Sequence, residues 1–132
     1  MEELDIRWKQ RFSNFGKSYL LLEKAVVKSE LNEIEKAGIV QVFEMTFELA
    51  WKTLKDYLVQ NNVDVRFPRD VIKESFRYEL ITDGETWMDM LEKRNLLSHT
   101  YDEATVELVL MLIRGKYFSA ISQVYQFLLA KI

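Results

Sequence analysis

One guanidinium, one imidazole and one phenol fall within eight residues of this chain, in Arg94-Asn-Leu-Leu-Ser-His99-Thr-Tyr101. His99 is the single histidine, and an imidazole with an ordinary pKa of about 6.5 can take or give a proton at neutral pH. Arg94 supplies permanent positive charge and a planar fork of donors suited to a phosphate. Five residues is a poor helical interval, because it turns two side chains well over a right angle apart. A helix that ends near Ser98 removes that obstacle and lets His99 turn back toward Arg94. The same junction puts Tyr101 and Asp102 in the first turn of the next helix, where outward N–H groups favour anions.

The chemistry that these groups suit is transesterification of RNA. Arg94 holds the scissile phosphate, and His99 acts as base toward the ribose 2′-OH or as acid toward the leaving oxygen. One histidine per chain is short of an acid-plus-base pair, so a two-fold dimer that brings a second His99 into the same cleft is expected. The spacing leaves open a plainer reading, in which Arg94 pairs with a helix C-terminus or with Glu92 while His99 and Tyr101 fill a turn.

The elements that must position this segment are helices. Leu4, Trp8, Phe12, Phe15, Tyr19, Leu22 and Val26 recur every three or four residues over 4–27, the stripe of an amphipathic helix. Lys28–Asn32 breaks it, and Asn32 with Glu35 forms a capping box for a second helix. That helix carries Ile39, Phe43, Phe47, Ala50, Trp51, Leu54 and Leu58 and ends at Asn61-Asn62. Residues 63–67 connect to Pro68 at a first helical turn, with Val71, Ile72, Phe76 and Leu80 lining a short helix. Thr82-Asp-Gly-Glu85 reads as a capping box for a helix through Trp87, Met88 and Leu91. Thr100-Tyr-Asp-Glu103 reads as another, opening one long last helix through Val106, Leu110, Ile113, Tyr117, Ile121, Val124, Leu128 and Leu129. Three long and two shorter helices predict an all-α fold, an up-and-down bundle with a four-helix core and a short extra helix. Residues 1–132 are expected to form a single domain.

Composition narrows the alternatives. With only 4 Gly and 1 Pro there is too little turn chemistry for an all-β fold. With 0 Cys there is no disulfide, thiolate zinc site or cysteine nucleophile, which suits a cytoplasmic protein. The acidic N-terminus, Met-Glu-Glu-Leu-Asp, lacks the layout of a signal peptide, and the apolar run Val106–Ile113 is too short to span a bilayer, so no membrane role is expected. A net charge of −3 means that RNA, if bound, is bound at a local site and not by a global basic field.

Arg66, Arg69, Lys73 and Arg77 form a local basic strip, three of them on one helix face, suited to an RNA backbone or to an acidic patch on a partner protein. Asp70 and Glu74 are interleaved and can pair with Lys73 and Arg77, so a solvated helix face is the plainer account. Asp83, Glu85 and Asp89, and separately Asp102 and Glu103, could suggest a divalent metal, but the capping boxes account for Glu85 and Glu103 and a metal site needs several converging oxygens. No metal and no cofactor is expected, and without a phosphate-cradling glycine loop the chain is not itself a nucleotidyltransferase. Trp51 and Trp87 are read as core.

Arg94-Asn95-x-x-x-His99-x-Tyr101 resembles the R-x-x-x-x-H-x-Y motif of HEPN domains. Phe43-Glu-Met-Thr-Phe-Glu-Leu-Ala-Trp-Lys-Thr-Leu-Lys55, Pro68-Arg-Asp-Val-Ile-Lys-Glu74, Asp83-Gly-Glu-x-Trp87 and Glu92 through Glu103 extend the resemblance to the nucleotidyltransferase substrate-binding protein branch of that superfamily. The resemblance implies a helical bundle, usually dimeric, with a separately encoded partner, a minimal nucleotidyltransferase. It implies a metal-independent ribonuclease toxin with Arg94 and His99 as the catalytic pair, Asn95 as a polar accessory, and Tyr101 as a site residue and acceptor of adenylyl groups. An older meaning of the family label is also implied, a non-catalytic subunit that presents substrate or nucleotide to the transferase.

Overall fold

A computed structural model describes residues 2–132, with side-chain environments from residue 3; Met1, the start of the acidic N-terminal run, lies outside the described residues. The helices are α1 (Glu2–Val26), α2 (Glu33–Gln60), α3 (Pro68–Arg77), α4 (Gly84–Leu97), α5 (Glu103–Leu112) and α6 (Phe118–Leu129), with one π-helical turn at Ile113–Tyr117. They make an all-α, up-and-down bundle, with no strand among the described residues.

Burial follows the predicted stripes. Trp8, Phe12, Phe15, Tyr19 and Leu22 line the inner face of α1, and Ile39, Phe43, Phe47, Ala50, Trp51, Leu54 and Leu58 that of α2. α1 and α2 pack along one another, α5 lies on α2, and α6 lies on α1 and α2. The buried apolar side chains form one continuous cluster. Aromatic pairs join its layers: Tyr19 stacks on Tyr125 with ring centroids 4.2 Å apart, and Phe43 on Tyr117 at 5.3 Å. Trp87 is fully buried and Trp51 nearly so, both in the core as expected.

The helix starts are chemically marked. Asn32 and Glu35 close a reciprocal capping box at 2.8 and 2.9 Å, and Pro68 occupies the first turn of α3. The two later capping boxes fall elsewhere. α4 is capped by Asp83, which accepts from the Thr86 N–H at 3.0 Å, and α5 by Asp102, which accepts from the Thr105 N–H at 2.8 Å. In each case an aspartate stands close to the predicted threonine cap, and an ionised carboxylate is the stronger acceptor for an orphan N–H.

Two further expectations change. Phe76 is 54% exposed, because the buried side of this ten-residue helix is carried by Val71, Ile72 and Ser75. Its ring covers Gly84 instead, where an added Cβ would sit 3.2 Å from Phe76 Cδ1. The long last helix is interrupted: Ile113–Tyr117 winds as a π turn, with the Phe118 N–H donating to the Ile113 carbonyl.

Candidate functional site

α4 ends where the site needs it to end. The Ser98 N–H donates to the Arg94 carbonyl at 3.3 Å, and its hydroxyl donates to the Asn95 carbonyl at 2.7 Å. The N–H groups of His99 and Thr100 both close on the Leu96 carbonyl, at 3.0 and 2.8 Å. These bonds satisfy the last carbonyls of α4. Arg94 and Asn95 therefore stand on a final helical turn, while His99 and Tyr101 lie in the link to α5.

Opposite them, α2 presents Gln41, Glu44, Met45 and Glu48, which share one face at intervals of three and four. These four side chains, with Arg94, Ser98 and Tyr101, line an open cleft of about 540 Å³. Arg94 reaches across it. Its Nε–H donates to Glu48 Oε1, its Nη2 lies against the same oxygen, and Nη1 donates to Asn95 Oδ1 at 2.9 Å. The second oxygen, Glu48 Oε2, accepts from the Trp51 indole N–H at 2.8 Å. Arg94 is thus paired across 46 residues of sequence with Glu48, neither with a helix terminus nor with Glu92. Glu48 and Glu44 carried no signal in the sequence beyond their i, i+4 spacing, since their importance depends on which face of α2 meets α4.

The cleft holds two carboxylates against one guanidinium. Burial, and then the charge of Glu48, raises the Glu44 carboxyl above its usual range. Burial, and then Glu44, raises the Tyr101 phenol, so Tyr101 remains protonated at neutral pH. Its ring is 54% exposed, and its hydroxyl donates only to the Ala37 carbonyl, at 3.4 Å.

His99 is exposed in the link, with no side-chain hydrogen bond among the described residues, and it does not line the cleft. One chain therefore gathers Arg94, Asn95, Ser98 and Tyr101, while His99 faces outward beside them. The expected anion site at the start of α5 is not open either. Tyr101 precedes the helix, Asp102 is its cap, and the Asp102 carboxylate itself takes the exposed N–H, with Glu103 following.

The basic strip stands apart from this cleft. Arg66, Arg69, Lys73 and Arg77 are all exposed, and Arg77 pairs with Glu74 at 3.7 Å. Asp83 and Asp102 are spent on caps, and no group of three or more His, Asp or Glu among the described residues is placed to hold a metal ion.

Known proteins resemble this chain in sequence and in fold. A family model described as "Nucleotidyltransferase substrate binding protein like" matches residues 10–130, which include every residue lining the cleft. The chain is 35% identical over 72 residues to a protein of Haemophilus influenzae described as a probable ribonuclease HepT; the match spans 51% of this chain and 49%, about half, of that protein. A crystal structure of a protein from Thermus thermophilus superposes with a TM-score of 0.77 at 24% identity, over 85% of this chain and 96% of the other, and shows the same fold. No helix among the described residues is long and apolar enough to cross a membrane. With the family's pattern running from α1 to the end of α6, the chain belongs to the nucleotidyltransferase substrate-binding protein family, a branch of the HEPN superfamily.

Proposed function

We propose that this chain is the helical partner subunit of a minimal nucleotidyltransferase, and that its dimer is a metal-independent ribonuclease restrained by adenylylation of Tyr101. The observation that carries the reading is the gathering of Arg94, Ser98 and Tyr101 around one open cleft, with Asn95 bonded to Arg94 and the exposed His99 in the adjoining turn. Since His99 of the same chain does not line that cleft, a two-fold pair supplies the imidazole from a second copy.

In the proposed reaction the ribose 2′-oxygen attacks the adjacent phosphorus as one imidazole takes the 2′-OH proton. The P–O5′ bond breaks, and an imidazolium returns a proton to the leaving 5′-oxygen. The products are a 2′,3′-cyclic phosphate and a 5′-hydroxyl, and no oxidant or metal enters the balance. Arg94 stabilises the charge that builds on the non-bridging oxygens. An adenylyl group on Tyr101 places a bulky anion at the rim of the cleft and blocks RNA by size and charge.

The purified chain is expected to cleave RNA in EDTA and to leave cyclic phosphate ends, with cleavage abolished in His99→Ala. Cleavage that persists in that variant would overturn the reading.

A second reading is a non-catalytic subunit that presents substrate or nucleotide to the transferase; the two carboxylates in the cleft, which repel an RNA backbone, weigh against cleavage there. It predicts a tight hetero-complex, intact RNA and normal growth when the chain is expressed alone.

A further inference from the structure

We propose that Glu48 is the positioning residue of the Arg94 guanidinium, and that it leaves Arg94 a two-donor fork aimed at a phosphodiester. The inference rests on the ribonuclease reading above and assigns a role in that site to a residue outside the Arg94–Tyr101 segment.

The donor count gives the argument. A guanidinium has five N–H groups. Nε–H goes to Glu48 Oε1, one Nη1–H goes to Asn95 Oδ1, and Nη2 turns one side to the same Glu48 oxygen. At least two N–H groups, on Nη1 and Nη2, remain without a partner among the described residues. That is the number one bidentate phosphate contact uses.

Glu48 is itself held. Its other oxygen accepts from the indole N–H of Trp51, a residue buried in the core, so the carboxylate is fixed by the helix below it and by Trp51 beside it. Arg94 and Glu48 are each 29% exposed, largely removed from the water that loosens surface ion pairs. A long side chain restrained at three points loses little freedom when phosphate arrives, and a fixed donor geometry is what separates productive contact from mere attraction. The negative charge of Glu48 weakens the pull of Arg94 on a distant anion. The gain is therefore in aim and not in raw affinity.

The test is a double-mutant cycle on the full chain, read as cleavage of an RNA oligonucleotide. Glu48→Ala is expected to lower kcat by about 100-fold, the scale of an ångström of misplacement at a reacting centre. Glu48→Gln keeps an acceptor oxygen for Arg94 and is expected to retain more activity than Glu48→Ala. In the Arg94→Ala background, Glu48→Ala should cost nothing further, because it acts through Arg94. Additive losses, or a Glu48→Ala enzyme as fast as wild type, overturn the proposal. If the wild-type chain leaves RNA intact, the ribonuclease reading falls by itself. The same cycle, read as binding of a non-cleavable 2′-deoxy oligonucleotide, then decides the role of Glu48: a change in affinity that is present with Arg94 and absent without it supports action through Arg94, and any other pattern rejects it.

Discussion

Tyr117 reaches from the π turn to donate its hydroxyl hydrogen to Asp89 Oδ2 in α4, and its ring is fully buried against Phe43. Asp89 also receives Lys93 Nζ at 2.9 Å, with Lys116 Nζ 3.5 Å away. Burial pushes the Asp89 carboxyl up, but the hydrogen bonds from Tyr117 and Lys93 outweigh it and leave the group below its ordinary range. Burial, and then Asp89, raises the Tyr117 phenol well above its own.

Tyr117→Phe should therefore cost about 1.5–3 kcal/mol in urea unfolding at pH 7, the worth of one hydrogen bond to a charged acceptor. Asp89, with its depressed folded pKa, contributes stability above the unfolded carboxyl value that is lost as pH falls through the folded one. The difference between wild type and Tyr117→Phe should accordingly shrink on the acid side of about pH 4. A difference that stays constant down to pH 2 would contradict the assignment.

Glu44 has the opposite sign. Its carboxyl is raised by burial and by Glu48, so the folded chain holds that proton more tightly than the unfolded chain. Stability then falls as pH rises from the ordinary carboxyl value of about 4.3 through the raised one. Glu44→Gln is neutral throughout and should raise Tm at pH 7 by about 1–4 °C. The advantage should vanish below about pH 4. Thermal unfolding across pH 3–8 reads both limbs.

A cleft completed by a second copy makes a prediction that needs no new chemistry. Arg94→Ala chains, which keep only residual cleavage, and inactive His99→Ala chains should regain up to about a quarter of wild-type cleavage when refolded together, since half of the dimers are mixed and each mixed dimer has one intact cleft. Failure to recover activity in verified mixed dimers would rule out a cleft that needs only the second copy's His99 beside Arg94.

Tyr101 is exposed and holds only one long hydrogen bond, to Ala37. Tyr101→Phe should leave unfolding free energy within about 0.5 kcal/mol of wild type. On co-expression with a minimal nucleotidyltransferase of the proposed partner class, mass spectrometry should find adenylyl groups on wild-type Tyr101 and none on the variant. Equal modification of the variant would move the acceptor elsewhere.

Much of this architecture was legible because helix signals are local. The stripes of α1 and α2, the Asn32–Glu35 box, Pro68 at the start of α3 and the end of α4 at Ser98 each depend on residues a turn or two apart. The cap positions slipped from Thr82 to Asp83 and from Thr100 to Asp102 because neighbouring residues compete for the same orphan N–H. What could not be read was lateral. Glu48 meets Arg94 only because α2 and α4 pack in one register, and Glu44 becomes a strained carboxyl only because that register buries it. Phe76 has a stripe position by spacing, yet a ten-residue helix lying at the edge of the bundle buries a narrower face than the spacing assumes. The outward-facing His99 was likewise unreadable, because the orientation of a linking residue is not periodic.

The π turn between α5 and α6 amounts to one surplus residue in an otherwise continuous rod. One residue of α-helix is a rotation of about 100°, so the surplus sets the phase of everything after it. Rewinding 113–117 as plain α-helix with every residue kept would swing Ile121, Val124 and Leu128 off the core, although no letter of α6 had changed, whereas loss of one of the five would straighten the rod and leave their faces in place.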